Sequence, residues 1–137
     1  MRLLLDTLVW LWMIAEPERI SEPTLQALSD PETDLYLSVA AVWEIGIKHA
    51  AGKLKYSGSP AVQVPLHISR SGVIVLPISV DHALSAAALP MHHRDPFDRL
   101  MIAQAAAESL TLATADNRLG AYGVPLLDAQ GAEQPQP

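Results

Sequence analysis

Cysteine is absent from the sequence, which removes at once a disulfide framework, a thiolate nucleophile and any zinc or iron-sulfur centre held by Cys ligands. A reducing cytoplasm is the compartment expected for such a chain. Charge is also sparse, at 18% of residues against 50% hydrophobic, a balance that excludes an intrinsically disordered protein. No long hydrophobic run is present either. The opening MRLLLDTLVWLWMIAEPE is interrupted by Asp6, and Leu8 to Ala15 is too short to span a bilayer, so neither a membrane helix nor a signal peptide is expected. Positive charge is short as well: nine Lys and Arg against fifteen Asp and Glu leave a formal net charge of −6. Bulk electrostatics of that sign do not hold nucleic acid. Six of the nine bases, Lys48, Lys53, Lys55, Arg94, Arg99 and Arg118, do lie near the acids discussed below, either as ordinary solvated charge or as local phosphate contacts.

What is present is an alternation of strand and helix signals. Arg2 to Leu5 is an apolar run closing at Asp6 and feeding a helix over Leu8 to Ala15. Ser21 to Leu28 reads as a short helix with Ser21 at its N-cap, and Leu35 to Ser38 as a second strand. Ala40 to Ala51 has helical spacing, with Val39, Val42, Trp43, Ile47 and Ala50 on one face. A helix around Val62 to Ser69, interrupted by Pro65, precedes a strand over Val73 to Leu76. Helices follow over Val80 to Leu89 and from Asp95 to about Ser109, then strands over Thr111 to Thr114 and Val124 to Leu127 around a turn at Asn117 to Ala121. The pattern predicts one α/β domain over 1–128, a largely parallel sheet covered by helices on both faces, and a disordered tail over 129–137. No repeat or linker divides it.

Four acids stand out. Asp6 and Asp116 each close an apolar strand, in LLLD and TLATAD, where parallel sheets collect ligands, and would share a crevice if their strands were neighbours. Asp98 lies on the first turn of its helix, and Glu44 sits amid apolar residues. Each has a plain structural explanation. Asp6 and Asp116 can cap the following turns, Asp98 suits a helix N-terminus, and Glu44 with Lys48 forms an i, i+4 pair. Asp95, followed by Pro96, is a strong helix start and reads as structural first. His92 and His93 occupy the loop before it, either solvated or as a base or metal ligand. His49, His67 and His82 show no partner pattern. The hydroxyls of Thr7, Ser38 and Thr114 fall at strand ends, able either to orient carboxylates or to make ordinary turn hydrogen bonds.

Taken together, LLLDTLVWLW, SVAAVWEIGIKHAAGKL, HHRDPFDRLMIAQA and TLATADNRL resemble, in order, the four acidic motifs of PIN-domain proteins of the VapC type. The similarity runs from about Arg2 to Leu127, and four motifs in order are far more specific than any one. The resemblance implies a Rossmann-like PIN fold, metal-dependent endoribonuclease activity, a homodimer and inhibition by a cognate antitoxin. Carried over motif by motif, the catalytic and metal-ligating acids fall on Asp6, Glu44, Asp98 and Asp116. One departure is visible: many relatives have His after the Asp-Thr pair, where this chain has Leu8.

Carboxylates without Cys suit a hard cation, Mg²⁺ or Mn²⁺. Two like charges ~4 Å apart repel by about 4 kcal/mol at an effective dielectric of ~20, so clustered acids take up protons or cations. On an RNA substrate, Asp6, Asp98 and Asp116 would hold the metal and Glu44 would be a ligand or orient the attacking water, with Lys48, Arg94, Arg99 and Arg118 available to phosphate. Two rivals belong to other classes. A PIN-like module that binds RNA or protein without cutting is disfavoured by the full set of acids. A phosphatase with a nucleophilic Asp lacks its D-x-D start, because Leu8 follows Asp6-Thr7. An apolar groove by the early helix with Trp10, Trp12 and Met13 is expected to receive an amphipathic antitoxin helix, unless these residues are all core.

Overall fold

The computed structural model describes residues 1–131; the rest of the expected tail, 132–137, lies outside the described residues. Five parallel strands, β1 (Arg2–Leu5), β2 (Asp34–Ser38), β3 (Ile74–Leu76), β4 (Thr111–Thr114) and β5 (Leu126–Asp128), form one sheet in the order β3-β2-β1-β4-β5. Among the described residues six α-helices accompany them: α1 (Thr7–Ala15), α2 (Glu22–Ser29), α3 (Val39–Ala50), α4 (Pro60–Ser71), α5 (Val80–Ala88) and α6 (Pro96–Glu108).

The apolar opening becomes the central strand because both of its faces are covered. Leu3 and Leu5 enter a core with Val9, Trp10, Leu37 and Ile45, while Leu4, pointing the other way, packs with Met101, Ile102, Leu110 and Leu112. From β1 the chain builds outward through β2 and β3, then returns through α5 and α6 to the opposite side of β1 as β4 and β5. The sheet order therefore reverses between β1 and β4, whose register sets Leu5 opposite Ala113. The crevice beyond the carboxyl ends of these two strands is the ligand position of an open α/β sheet.

Several expectations are sharpened. Helix α4 is longer than foreseen and passes through Pro65, ending at Gly72, whose φ of 72° is the left-handed conformation that glycine adopts without a Cβ penalty. Ser21 sits at the N-cap of α2, but its side chain makes no capping bond; its hydroxyl donates to Thr24 Oγ1 instead. Ala129, read as the start of the tail, is fully buried: its N–H donates to Thr114 O and its carbonyl accepts from Ser21 N–H. His82, which showed no sequence pattern, is buried, its Nδ1 accepting from Ser79 N–H and its Nε2 donating to Glu108 Oε1, which ties α5 to α6.

The apolar stripe of α3 faces the opposite way from a core stripe. Val39, Trp43 and Ile47 are exposed, Trp43 to 61%, while Ala40, Ala41, Glu44 and Ile45 are buried. Small alanines let α3 approach its neighbours closely and turn Glu44 inward. Among the described residues no helix is long and apolar enough to cross a membrane.

Candidate functional site

Asp6, Glu44, Asp98 and Asp116 all line one cleft of roughly 500 Å³ at the β1/β4 switch point, together with Thr7, Leu8, Leu11, Lys48, Asp95 and Arg118. Each acid arrives from a different element. Asp6 ends β1 at the N-cap position of α1, yet its side chain makes no cap; Oδ2 accepts from Thr114 Oγ1 at 2.7 Å. The same Thr114 oxygen accepts from Asp116 N–H at 3.0 Å, so one hydroxyl fixes the ends of β1 and β4 together.

Glu44 is buried, with 4% of its surface exposed, and both carboxylate oxygens are held. Thr7 Oγ1 donates to Oε1 at 2.5 Å, and Lys48 Nζ donates to Oε2. The i, i+4 pair with Lys48 therefore exists, but it is not the exposed surface pair of the plain reading. Burial of Lys48 works to lower its pKa, and the hydrogen bond and charge of Glu44, with Asp95 and Asp98 behind, outweigh it and raise the pKa. The ammonium stays charged at the cleft wall.

Asp98 comes from the first turn of α6, whose start is fixed by Asp95 accepting from Phe97 and Asp98 N–H at 2.8 and 3.1 Å. Asp95 is thus a helix cap that also lines the cleft. The Oδ2 of Asp98 lies 2.7 Å from His93 Nε2. Burial first, then the charges of Asp6 and Asp95, push the Asp98 carboxyl up from 3.8 to about 7. Asp6 is raised too, chiefly by burial, with Glu44 and Asp116 adding to it against the Thr114 hydrogen bond. Asp116 goes the other way: the Arg118 guanidinium, bonded to both its oxygens at 2.9 and 2.8 Å, holds the carboxyl below its usual range. Asp116 also caps the following turn through Arg118 N–H, as its plain reading foresaw.

Of the hydroxyls at strand ends, Thr7 and Thr114 orient carboxylates, whereas Ser38 caps α3 by accepting from Ala40 N–H. Of the four bases offered to phosphate, Lys48 and Arg118 line the cleft, and Arg94 is exposed in the loop before Asp95. Arg99 is not available. Its guanidinium is turned inward and donates to the carbonyls of Ala86, Leu89, Pro90 and His93 at 2.9 to 3.3 Å, bracing the α5–α6 loop. No sequence signal announces that role, since its shortest bonds go to backbone carbonyls and its side-chain acceptors, Met91 Sδ and Tyr122 Oη, carry no charge. Arg99→Met should lower stability by about 2–4 kcal/mol, because buried carbonyls lose a charged donor. A urea-denaturation change under about 0.5 kcal/mol, the range of an ordinary surface substitution, would remove the brace from the account.

Five carboxylates face two basic side chains in this cleft. Crowding that raises two of the acids is what a divalent cation relieves, and an all-oxygen set suits a hard ion. One ligand atom each from His93, Asp98 and Asp116 lies within 4.8 Å of the others, close enough to share an ion.

A doubly covered parallel sheet with an acidic cleft at its switch point defines a Rossmann-like α/β protein. The PIN domain model matches residues 3–125, and the chain belongs to that family. Solved structures of similar fold include VapBC2 from Rickettsia felis bound to a DNA fragment from their promoter (17% identity, 93% of this chain and 98% of that one, TM-score 0.70). Others are FitAcB from Neisseria gonorrhoeae (24%, 93% and 97%, 0.60) and a toxin-antitoxin complex from Klebsiella pneumoniae (19%, 92% and 96%, 0.62). No curated protein matches.

Proposed function

We propose that this protein is a metal-dependent endoribonuclease and the toxin of a toxin-antitoxin pair. The observation that carries the reading is the convergence of Asp6, Glu44, Asp98 and Asp116 from four elements into one cleft. Asp6, Asp98 and Asp116 would hold Mg²⁺ or Mn²⁺, which when bound supplies charge neutralisation at the scissile phosphate and a lowered pKa for the attacking water. Glu44, fixed by Thr7 and Lys48, orients that water or joins the ligands. Lys48 and Arg118, which line the cleft, would meet the flanking phosphates, and Arg94 would do so from its exposed loop. Thr114 keeps Asp6 aimed at the cleft.

Partner binding is supported by the apolar surface beside this cleft. Leu8, Leu11 and Leu54 line it and continue into a second groove with Trp12, Ile14 and Tyr56. Trp10 is fully buried and takes no part in the groove, and Trp12, only 6% exposed, lines it alongside the leucines and Ile14. An amphipathic antitoxin helix fits this channel, with a basic side chain reaching the acids. The exposed Val39, Trp43 and Ile47 face of α3 lies apart from it and suits a second copy of the chain.

Purified, antitoxin-free protein should cut unstructured RNA in Mn²⁺ and not in chelator, with product ends reporting the bond broken. Glu44→Gln should lose most of this activity, whereas a purely structural role for this buried pair would show as lost stability with activity kept. Undiminished cleavage by Glu44→Gln would exclude it from the chemistry. Expression without the neighbouring gene should arrest growth, and co-expression should yield a complex that survives gel filtration. Harmless expression of active nuclease without a partner would leave the nuclease and remove the toxin.

A further inference from the structure

The loop between α5 and α6 is unusually well held for a polar connection. Arg99 Nη1 donates to Pro90 O at 3.0 Å and His93 O at 3.3 Å, while Nη2 donates to Ala86 O and Leu89 O, both at 2.9 Å. Tyr122 braces it from the other side: its hydroxyl accepts from His93 N–H at 2.8 Å and donates to Pro90 O at 2.9 Å. The backbone of His93 is therefore tied at both its N–H and its carbonyl.

The two adjacent histidines are used differently. His92 is exposed and packs edge-on against the Tyr122 ring, 5.1 Å between centroids. His93 turns inward, its side chain only 14% exposed, with Nε2 directed at Asp98. A loop histidine that is merely solvated does not sit this way, and this one shares its space with Asp98 and Asp116, all three ligand atoms within 4.8 Å. Ligand atoms on one small divalent ion stand roughly 3 Å apart, so the 2.7 Å His93–Asp98 contact needs to open only slightly to admit one.

From this arrangement we infer that His93 is a metal ligand of this chain, its Nε2 joining Asp98 and Asp116 on the same cation. The inference deepens the nuclease reading and rests on it for the presence of a metal, but not for any reaction. An imidazole donor has a chemical consequence. Mg²⁺ takes oxygen ligands and gives up its waters reluctantly, whereas nitrogen donors favour the softer first-row ions. The site should therefore prefer Mn²⁺ over Mg²⁺ by more than a purely carboxylate site does, and the preference should reside in His93.

The test uses the full-length protein and the metals alone, without RNA. Electron spin-echo modulation of the Mn²⁺-loaded protein should show directly coordinated ¹⁴N, and His93→Gln should abolish that signal. Calorimetric titration should show the Mn²⁺ to Mg²⁺ affinity ratio falling about tenfold in His93→Gln, within the range seen for residues supporting a metal site. His92→Gln, on the outer side of the loop, should change neither. Absence of nitrogen coupling in the parent protein, an unchanged ratio in His93→Gln, or failure to bind Mn²⁺ would each overturn the assignment. Mn²⁺ binding through nitrogen in a protein that cuts no RNA would uphold His93 and fail the nuclease reading, so the two are separable.

Discussion

Asp6→Asn is expected to reduce RNA cleavage at least ~100-fold at a fixed Mn²⁺ concentration while leaving the fold intact. Loss of residues that merely support a metal ligand costs ~10–100-fold, and a ligand should cost no less. The shape is preserved, because the Asn carbonyl can still accept the Thr114 hydroxyl that Asp6 Oδ2 accepts at 2.7 Å. Charge is what changes. Asp6 is half-buried at the junction of β1 and α1, and its carboxyl is raised by loss of solvent and by Glu44 and Asp116. Removing the charge relieves both terms, so the metal-free variant should melt no lower than the parent. Far-ultraviolet circular dichroism and a melting curve check the fold, and a gel assay checks the cut. A variant that cleaves as fast as the parent would show that Asp6 is only a half-buried turn residue.

Much of the fold was legible in the sequence because the central strands are buried on both faces and read as unbroken apolar runs ending in an acid. LLLD and TLATAD located β1 and β4, and the structure makes them neighbours, which the sequence left as a condition. The orientation of α3 was not legible. Its apolar residues at helical spacing suggest a core stripe, yet Val39, Trp43 and Ile47 face outward and Ala40, Ala41 and Ile45 face inward. Helical periodicity finds a face but not its partner, and small residues that allow close packing carry little hydrophobic signal. Glu44 is buried for that reason, one position from an exposed tryptophan.

Single charged residues were also ambiguous in a way that only geometry resolves. Arg99 lies next to Asp98 in sequence, which suggested a phosphate contact, but a helix sends adjacent side chains in directions about 100° apart. Asp98 turns to the cleft and Arg99 to the loop behind it. The histidine pair divides in the same manner, one outward and one inward. Local sequence names the residue types available to a site; tertiary placement decides which of them reach it.

Asp98→Asn is expected to be more stable than the parent at alkaline pH in chelator and to lose much of that advantage when metal is added. The folded-state pKa of Asp98 is about 7 against an ordinary 3.8. Between these values the folded protein binds more protons at this residue than the unfolded chain, so the stability conferred there falls as pH rises and is fully lost above about 7. Asn does not titrate. In chelator the variant should therefore gain on the parent progressively from pH 4 to pH 8, reaching on the order of 2–4 kcal/mol, the ceiling set by a shift of this size less the lost His93 hydrogen bond. Saturating Mn²⁺ acts oppositely, because a ligand at ~100 times its Kd stabilises the folded state by about 2.7 kcal/mol and the variant, short of one anionic ligand, receives less. At pH 8 the parent should thus melt below Asp98→Asn in chelator, and Mn²⁺ should narrow that gap by up to about 2.7 kcal/mol. Urea titrations of both proteins at three pH values, with and without the ion, measure each term. A variant that loses stability in chelator at pH 8 would mean that ionised Asp98 supports the fold through His93, and that the cleft holds its acids without strain.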